Sequence, residues 1–166
     1  SFTGFQLRAR FDSVVNVAQF GAKGDGATDT APAFLAAYRY VRSKAVLIPQ
    51  VSFAYSGQMA IEIPAGVFRV AAANSWIDGT NASSLYTGIS FRGKGRGVTT
   101  IVYDPPDPGV GEAFMINNNQ DWHTFRLEAM TVVSNQTWAS LYKATGPGLS
   151  YQTFDDVAIR GSWREV

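Results

Sequence analysis

From Ile61 onward, short runs of alternating apolar and polar residues are separated by Gly, Pro, Asn and Asp. A period of two places every second side chain on one face of an extended strand, and the intervening residues favour turns. The pattern therefore predicts a succession of short strands with no further helix. The predicted strands are Ile61–Ile63, Val67–Val70, Ile89–Phe91, Thr100–Tyr103, Phe114–Ile116, Phe125–Val133 and Phe154–Ile159.

The chain before these strands has a different pattern. Val15–Phe20 is predicted as a strand, and Gly21–Gly26 as a turn in which the Asp25 side chain bonds its own backbone. Residues 1–15 are apolar enough that we expect them to dock on another surface, such as a second subunit.

A helix is predicted over Thr30–Arg42. Thr28 or Asp29 is the expected N-cap, and Pro32 lies in the first turn, where proline is tolerated. Apolar residues at helical spacing predict its buried face, which consists of Ala31, Phe34, Leu35, Tyr38 and Val41.

Two stretches of the strand region match at a shift of about 27 residues. Phe125-x-Leu127-x-x-Met130-x-Val132 is echoed by Gln152-x-Phe154-x-x-Val157-x-Ile159, and Phe114-Met-Ile116 by Leu141-Tyr-Lys143. A fixed period in this range is typical of solenoids, in which successive repeats stack. The echo is imperfect at Gln152 and Lys143, and a sandwich of similar strands remains the alternative.

The composition narrows the function classes. Charged residues make up 16% of the 166, below the roughly 25% usual for soluble domains, and the net charge is only +1. The scattered basic residues form no surface suited to nucleic acid, and no stretch has the length of a membrane span. The absence of Cys excludes disulfides, Cys-ligated zinc and iron–sulfur clusters. We expect no metal, no cofactor, no nucleic-acid partner and no membrane insertion.

The run Val15-Asn-Val-Ala-Gln-Phe-Gly-Ala-Lys-Gly-Asp-Gly-Ala-Thr-Asp29 resembles the motif that opens β-helices of the pectate-lyase superfamily. Ile61–Phe68 is similar to the first coil of that family, Gly88–Gly97 to the second, and the echoed pair to the third and fourth. The resemblance implies a mainly β fold, a right-handed parallel β-helix with an N-terminal capping α-helix. The matching motif positions are Phe20, Gly21, Gly24, Asp25, Gly26, Asp29, Pro64, Gly66, Gly93 and Gly95.

The resemblance also divides the chain. Residues 1–14 are expected to be a lead-in or attachment segment, and residues 15–166 the cap and first coils of a β-helix that continues beyond residue 166. Arg10–Val17 is similar to the stretch that joins the virion-attachment region to the β-helix in bacteriophage tail proteins. Residues 45–60 depart from the family pattern as an insertion, which we interpret as a subunit contact or an extra loop.

Candidate catalytic groups are few. Asp155 and Asp156 are adjacent in a strand and point to opposite faces, so only Asp156, acting with a carboxylate of a neighbouring coil, is retained as a candidate. The run Gly93–Gly97 lacks the spacing of a phosphate-binding loop and is interpreted as a structural turn. His123, the only histidine, is interpreted as an exposed turn residue.

Aromatic side chains offer flat apolar faces of the kind that stack on sugar rings. Trp138, Tyr142 and Trp163 are the candidates for carbohydrate contact, with core packing or subunit contact as the alternative.

The resemblance implies the N-terminal β-helical portion of a phage tailspike or tail fibre. We therefore expect a homotrimer on the virion that contacts other tail or baseplate proteins and binds a host cell-surface polysaccharide. One alternative is a depolymerase, a glycoside hydrolase or lyase, whose catalytic residues lie mostly outside this segment. The other is a secreted bacterial polysaccharide-modifying enzyme.

Overall fold

The computed structural model describes residues 14–49, 54–56, 59–77, 85–119, 125–145 and 152–164. One α-helix, α1 (Ala31–Ser43), follows the first two strands. The strands are β1 (Val14–Asn16), β2 (Asp25–Asp29), β3 (Val46–Leu47), β4 (Ala54–Ser56), β5 (Ala60–Glu62), β6 (Gly66–Val70), β7 (Leu85–Thr87), β8 (Ile89–Arg92), β9 (Thr99–Tyr103), β10 (Ala113–Asn119), β11 (Phe125–Ser134), β12 (Ala139–Thr145) and β13 (Gln152–Gly161).

The strands wind into successive coils that stack in parallel. One face consists of β1, β5, β8 and the first half of β11, and a second face of β2, β6, β9 and the second half of β11. β13 pairs with β11 along both halves. A third face is formed by β10 and β12. The chain is a parallel β-helix, and parallel crossovers of this kind are right-handed in nearly all proteins.

The bend between the first two faces lies inside β11 and again inside β13. Ala129 and Asp156 occupy these bends with φ of 53° and 51°, the left-handed region that side chains other than glycine seldom adopt. The bends stack on one another because Glu128 pairs with Asp155 and Met130 with Val157. A sharp corner of this kind lets one strand serve two faces of the coil.

The interior contains a column of aromatic rings that begins at the helix. Phe34 of α1 stacks on Trp76 with centroids 4.7 Å apart, and Trp76 stacks on Phe91 at 4.6 Å. Phe125 and Phe154 extend the column at 6.0 and 6.3 Å. The predicted capping role of α1 is confirmed, since its apolar face closes one end of this core. Of the predicted buried face, Leu35 alone is only partly buried.

The N-terminal predictions need two corrections. The strand predicted over Val15–Phe20 ends at Asn16 and gives way to a 3₁₀ helix over Val17–Phe20, because the Asn16 and Gln19 side chains form a capping box. Asp29 is not the N-cap of α1, because Asp25–Asp29 pairs with β6 as a strand and Thr30 occupies the cap position. The Asp29 carboxylate still accepts the Ala31 amide at 3.0 Å.

The predicted strands from Ile61 onward are confirmed, but the repeat is not uniform. β13 follows β11 at the predicted shift of 27, whereas β12 follows β10 at 26, so Phe114 pairs with Ser140 rather than Leu141. The connection from β12 to β13 is one residue longer than that from β10 to β11, which accounts for the difference.

Part of the 45–60 insertion forms a small separate sheet. β3 pairs antiparallel with β4, and β4 pairs parallel with β7. The sequence did not indicate these short strands. Residues 1–13 lie outside the described residues, and Val14, which was assigned to the lead-in, belongs to β1.

Two of the motif glycines sit where separate parts of the chain approach each other closely. A Cβ on Gly24 would lie 3.2 Å from the Gly66 Cα, and a Cβ on Gly93 would lie 2.2 Å from the Ala129 carbonyl oxygen. The contact at Gly93 leaves no room for a side chain, and that at Gly24 is tighter than most Cβ contacts. The other matched positions lie in the turns and strand ends nearby, at Phe20, Gly21, Asp25, Gly26, Pro64 and Gly95.

Candidate functional site

A groove of about 610 Å³ lies on the outer side of the third face and is here called the first groove. Its volume falls within the range typical of ligand sites. Asn117 of β10 and Lys143 of β12 are register partners and therefore lie side by side in it. The lining residues are Asn74, Val110, Gly111, Glu112, Phe114, Asn117, Lys143 and Arg164.

One wall of the first groove is the connection between β9 and β10, residues 104–112. The corresponding connection in the next coil, between β11 and β12, has four residues instead of nine. The extra length projects from the stack of coils, and Val110 in it is 92% exposed. Loops that project from a regular scaffold are common places for ligand contact.

Charged side chains cross the first groove. Arg164 Nε lies 2.6 Å from Glu112 Oε1, and the Arg164 backbone amide donates to the Ala139 carbonyl at 2.9 Å, so this residue is held at its guanidinium and at its backbone. Lys143 Nζ lies 5.0 Å from the centre of the Phe114 ring, within the range of a cation–π contact. No carboxylate pairs with Lys143 within the described parts of the chain.

Two amide side chains of the first groove have unused hydrogen-bonding capacity. The Oδ1 atoms of Asn74 and Asn117 are buried without a partner among the described residues. The Asn74 backbone amide donates to the Phe114 carbonyl at 2.7 Å, which holds this residue against β10. A buried polar group without a partner is costly, so a donor from a ligand or from water would be stabilising there.

The first groove is equipped for binding polar groups. Lys143 and Arg164 donate, the two asparagines donate and accept, and Phe114 provides an apolar face. Glycoside hydrolysis requires two carboxyl groups, whereas Glu112 is the one carboxylate that lines this groove among the described residues. Those residues also hold no cluster of three metal-ligating side chains, and no described helix has the length and apolar character of a membrane span.

The structure does not bring the three predicted carbohydrate-contact residues together. Trp138 lies in a second groove beside the first. Tyr142 stacks on Phe125 at 5.5 Å and belongs to the interior column. Trp163 stacks on Tyr103 at 6.0 Å, and its indole N–H donates to the Arg160 carbonyl at 2.8 Å.

Asp156 lies at the corner between the first two faces, away from the third face that carries the first groove. Its carboxylate pairs with the Arg96 guanidinium, and both side chains are substantially exposed. Its neighbour in this structure is therefore a cation, and its catalytic role stays a prediction. His123 lies outside the described residues.

The Gly93–Gly97 turn uses its amides within the protein. The Gly93 and Gly95 amides donate to the Glu128 and Ala129 carbonyls at 2.9 and 2.8 Å. The amides of Lys94 and Gly97 donate to the hydroxyls of Thr99 and Thr131. None of these four amides is available to an anion.

Sequence reasoning missed the main residues of the first groove. Glu112 lies in a connection and Arg164 follows β13, and no periodicity marks either position. Lys143 stood out as the charged residue of the echoed run Leu141-Tyr-Lys143, although the observed register pairs it with Asn117 rather than with Ile116.

No protein-family model and no curated protein sequence matches this chain. Solved structures are similar in fold. The A-modules of the mannuronan C-5 epimerases AlgE6 and AlgE4 from Azotobacter vinelandii superpose with TM-scores of 0.55 and 0.54 at 20% identity, over 89% and 87% of this chain. ORF18 of Geobacillus virus E2 superposes with a TM-score of 0.50 at 20% identity, over 77% of this chain.

The chain spans 38% of the length of each epimerase module and 24% of the viral protein. At this level of identity the similarity establishes the parallel β-helix fold. The activity has to be inferred from the residues of the site.

Proposed function

We propose that this chain is the N-terminal β-helical portion of a phage tail protein that binds a polysaccharide of the host surface. The observation that carries the proposal is the first groove, in which the Phe114 ring lies beside Lys143, Arg164 and two asparagines. A flat apolar surface bordered by donors and acceptors is complementary to sugars, which expose C–H faces and a rim of hydroxyl groups.

The similar structures support both parts of this proposal. Mannuronan, which gives the two epimerases their name, is a polysaccharide, and the third similar structure is a viral protein.

The proposed assembly is a homotrimer on the virion, in contact with other tail or baseplate proteins. Val46 and Leu47 of the inserted small sheet are both exposed, as are Val67 and Val98 on the coils. Val46 and Leu47 are adjacent in β3, and neighbouring exposed apolar side chains are suited to subunit contacts. We propose the inserted sheet as one such contact.

The test is retention of purified capsular polysaccharides and O-antigens by the full chain, compared with its Lys143→Ala and Arg164→Ala variants. Each variant removes a charged donor, and a hydrogen bond to a charged group contributes about 1.5–3 kcal/mol. We expect each variant to bind about 10- to 100-fold more weakly.

Lys23→Ala is the matched control, because Lys23 is an exposed lysine of the N-terminal turn and does not line the first groove. Binding that survives both groove substitutions, or that falls equally in the control, would contradict the assignment of the first groove. Retention of no polysaccharide would contradict the function itself.

A polysaccharide-modifying enzyme is the second candidate, favoured by the epimerases among the similar structures. Incubation of the full chain with each retained polysaccharide, followed by proton NMR of the product, distinguishes the two. New anomeric or unsaturated signals would establish an enzyme, and an unchanged spectrum with retained binding would establish a binding protein.

A further inference from the structure

A second groove of about 410 Å³ lies beside the first, on the other side of the 104–112 connection. It borders the corner at which the second face of the coil turns into the third. Arg69 comes from β6, Asp104 follows β9, and Gln136 follows β11. Three successive coils therefore each contribute one polar side chain, and the groove follows the axis of the solenoid.

The three polar side chains form one connected hydrogen-bond network. Arg69 donates to Asp104 Oδ2 from Nη2 at 2.7 Å and from Nε at 3.1 Å. Gln136 Nε2 donates to Asp104 Oδ1 at 2.8 Å. The donors from Arg69 and then Gln136 lower the pKa of Asp104, so its carboxylate is ionised at neutral pH.

The network leaves groups that can bind a ligand. Arg69 and Asp104 are each about one third exposed, at 35%. A guanidinium has five N–H donors and a carboxylate about four acceptor positions, and the internal bonds use only part of each. The paired charges cancel, so the groove offers donors and acceptors without a net charge.

Trp138 supplies the apolar wall of the second groove. Its indole N–H donates to the Pro105 carbonyl at 3.2 Å, which fixes the orientation of the ring. Pro105 and Pro106 line the groove beside it. A ring that is already held in place loses little conformational entropy when a ligand stacks on it.

We infer that the second groove is a binding subsite for neutral sugars, with Trp138 stacking on the sugar ring and the Arg69–Asp104–Gln136 network bonding its hydroxyls. A hydroxyl both donates and accepts, which matches this network. Because the charges of Arg69 and Asp104 cancel, neither an anionic nor a cationic sugar gains a net attraction there. With strands about 4.8 Å apart, the polar edge is about 10 Å long over three coils and suits a short stretch of a glycan chain.

The inference rests on the proposed polysaccharide function and adds a site and a sugar class to it. The probe is a panel of purified capsular polysaccharides and O-antigens whose repeats carry no uronic acid, phosphate or sulfate. A second panel, of polysaccharides that contain uronic acids, runs beside it. The protein is the full chain and its Trp138→Ala, Trp138→Phe and Asp104→Asn variants.

We expect at least one neutral polysaccharide to bind, and Trp138→Ala to weaken that binding about tenfold through loss of the stacking surface. Trp138→Phe, which keeps an aromatic face, should restore part of the affinity. Asp104→Asn should weaken neutral binding with little effect on the Trp138 indole NMR signal. Asp155→Asn, at an exposed aspartate of β13 that lines neither groove, is the matched control and should bind as the unmodified chain does.

Neutral binding unchanged in both Trp138→Ala and Asp104→Asn would overturn the inference, as would binding of uronic-acid polysaccharides alone. Both outcomes would leave the proposed function standing. If neither panel is retained, the proposed function and this inference fall together. Urea unfolding of each variant distinguishes a lost contact from a lost fold.

Discussion

Phe34 of the capping helix and Trp76 of the first coil stack almost parallel, with ring centroids 4.7 Å apart and planes 6° apart. Both side chains are completely buried. The contact joins α1 to the column of rings inside the coils, so the helix and the solenoid share one core.

Replacement of Phe34 by Ala should therefore destabilise the whole β-helix. Loss of a buried phenylalanine costs about 3–5 kcal/mol, because both the burial and the packing around it are lost. Urea unfolding followed by circular dichroism measures the change. Leu35→Ala, on the partly buried edge of the same helix, should cost clearly less, and equal losses would show that the stack does not connect cap and coils.

Ala129→Gly should stabilise the protein slightly. Ala129 has a φ of 53°, where a side chain costs roughly 1–2 kcal/mol, and glycine removes that strain. The greater freedom of glycine in the unfolded chain offsets about 0.4–1 kcal/mol of this gain. Ala158→Gly, at a regular position of β13, should instead destabilise the fold, and the same sign at both sites in urea unfolding would contradict the assigned bend.

The hydrogen bonds to the Asp25 carboxylate should make the stability of the fold depend on pH in the acid range. The backbone amide of Thr28, the amide of Ala27 and the Thr28 hydroxyl donate to the carboxylate and lower its pKa to about 2. A lowered pKa contributes stability that is present above the unfolded value near 4 and is lost as the pH falls through about 2.

Asp25→Asn should therefore flatten the dependence of the urea midpoint on pH between about 4 and 2. Thr28→Val removes the hydroxyl and keeps the backbone donor, so its slope should be intermediate. An unchanged slope in Asp25→Asn would show that the carboxylate bonds do not form in solution.

Shortening the 104–112 connection should weaken polysaccharide binding and leave the stability of the fold nearly unchanged. Deletion of residues 106–110 leaves four residues, the length found in the next coil. Exposed connections tolerate such changes, so the unfolding midpoint should stay close to that of the intact chain. Polysaccharide retention should fall because one wall of the first groove is lost. Full binding by the deleted chain would place the glycan elsewhere.

The sequence was sufficient for the elements whose signals are local or repeated. Alternating residues such as Ile101 and Tyr103, and glycines at close approaches such as Gly24 and Gly66, predicted the strands and the coils. The 3₁₀ helix over Val17–Phe20 was not predicted, because the apolar alternation there resembles that of a strand. The capping box at its start stabilises the helix instead.

The site was harder to predict for a physical reason. Glu112 and Arg164 meet only after the three coils that carry β10, β12 and β13 have stacked, and the lengths of the connections decide which side chains meet. A shift of 26 instead of 27 residues changes every pairing between β10 and β12, including that of Asn117 with Lys143. Tyr142 is an example, because the sequence offers it as a carbohydrate contact. In the structure its register partner is the buried Ile116, so it lies with the core rather than at a sugar-binding surface.

The most direct test of the proposed function is a crystal structure of the full chain with an oligosaccharide cut from a retained polysaccharide. We expect sugar density along the third face, against the Phe114 ring and within hydrogen-bond distance of Lys143 and Arg164. Sugar bound on another face, with the first groove unoccupied at saturating ligand, would contradict it.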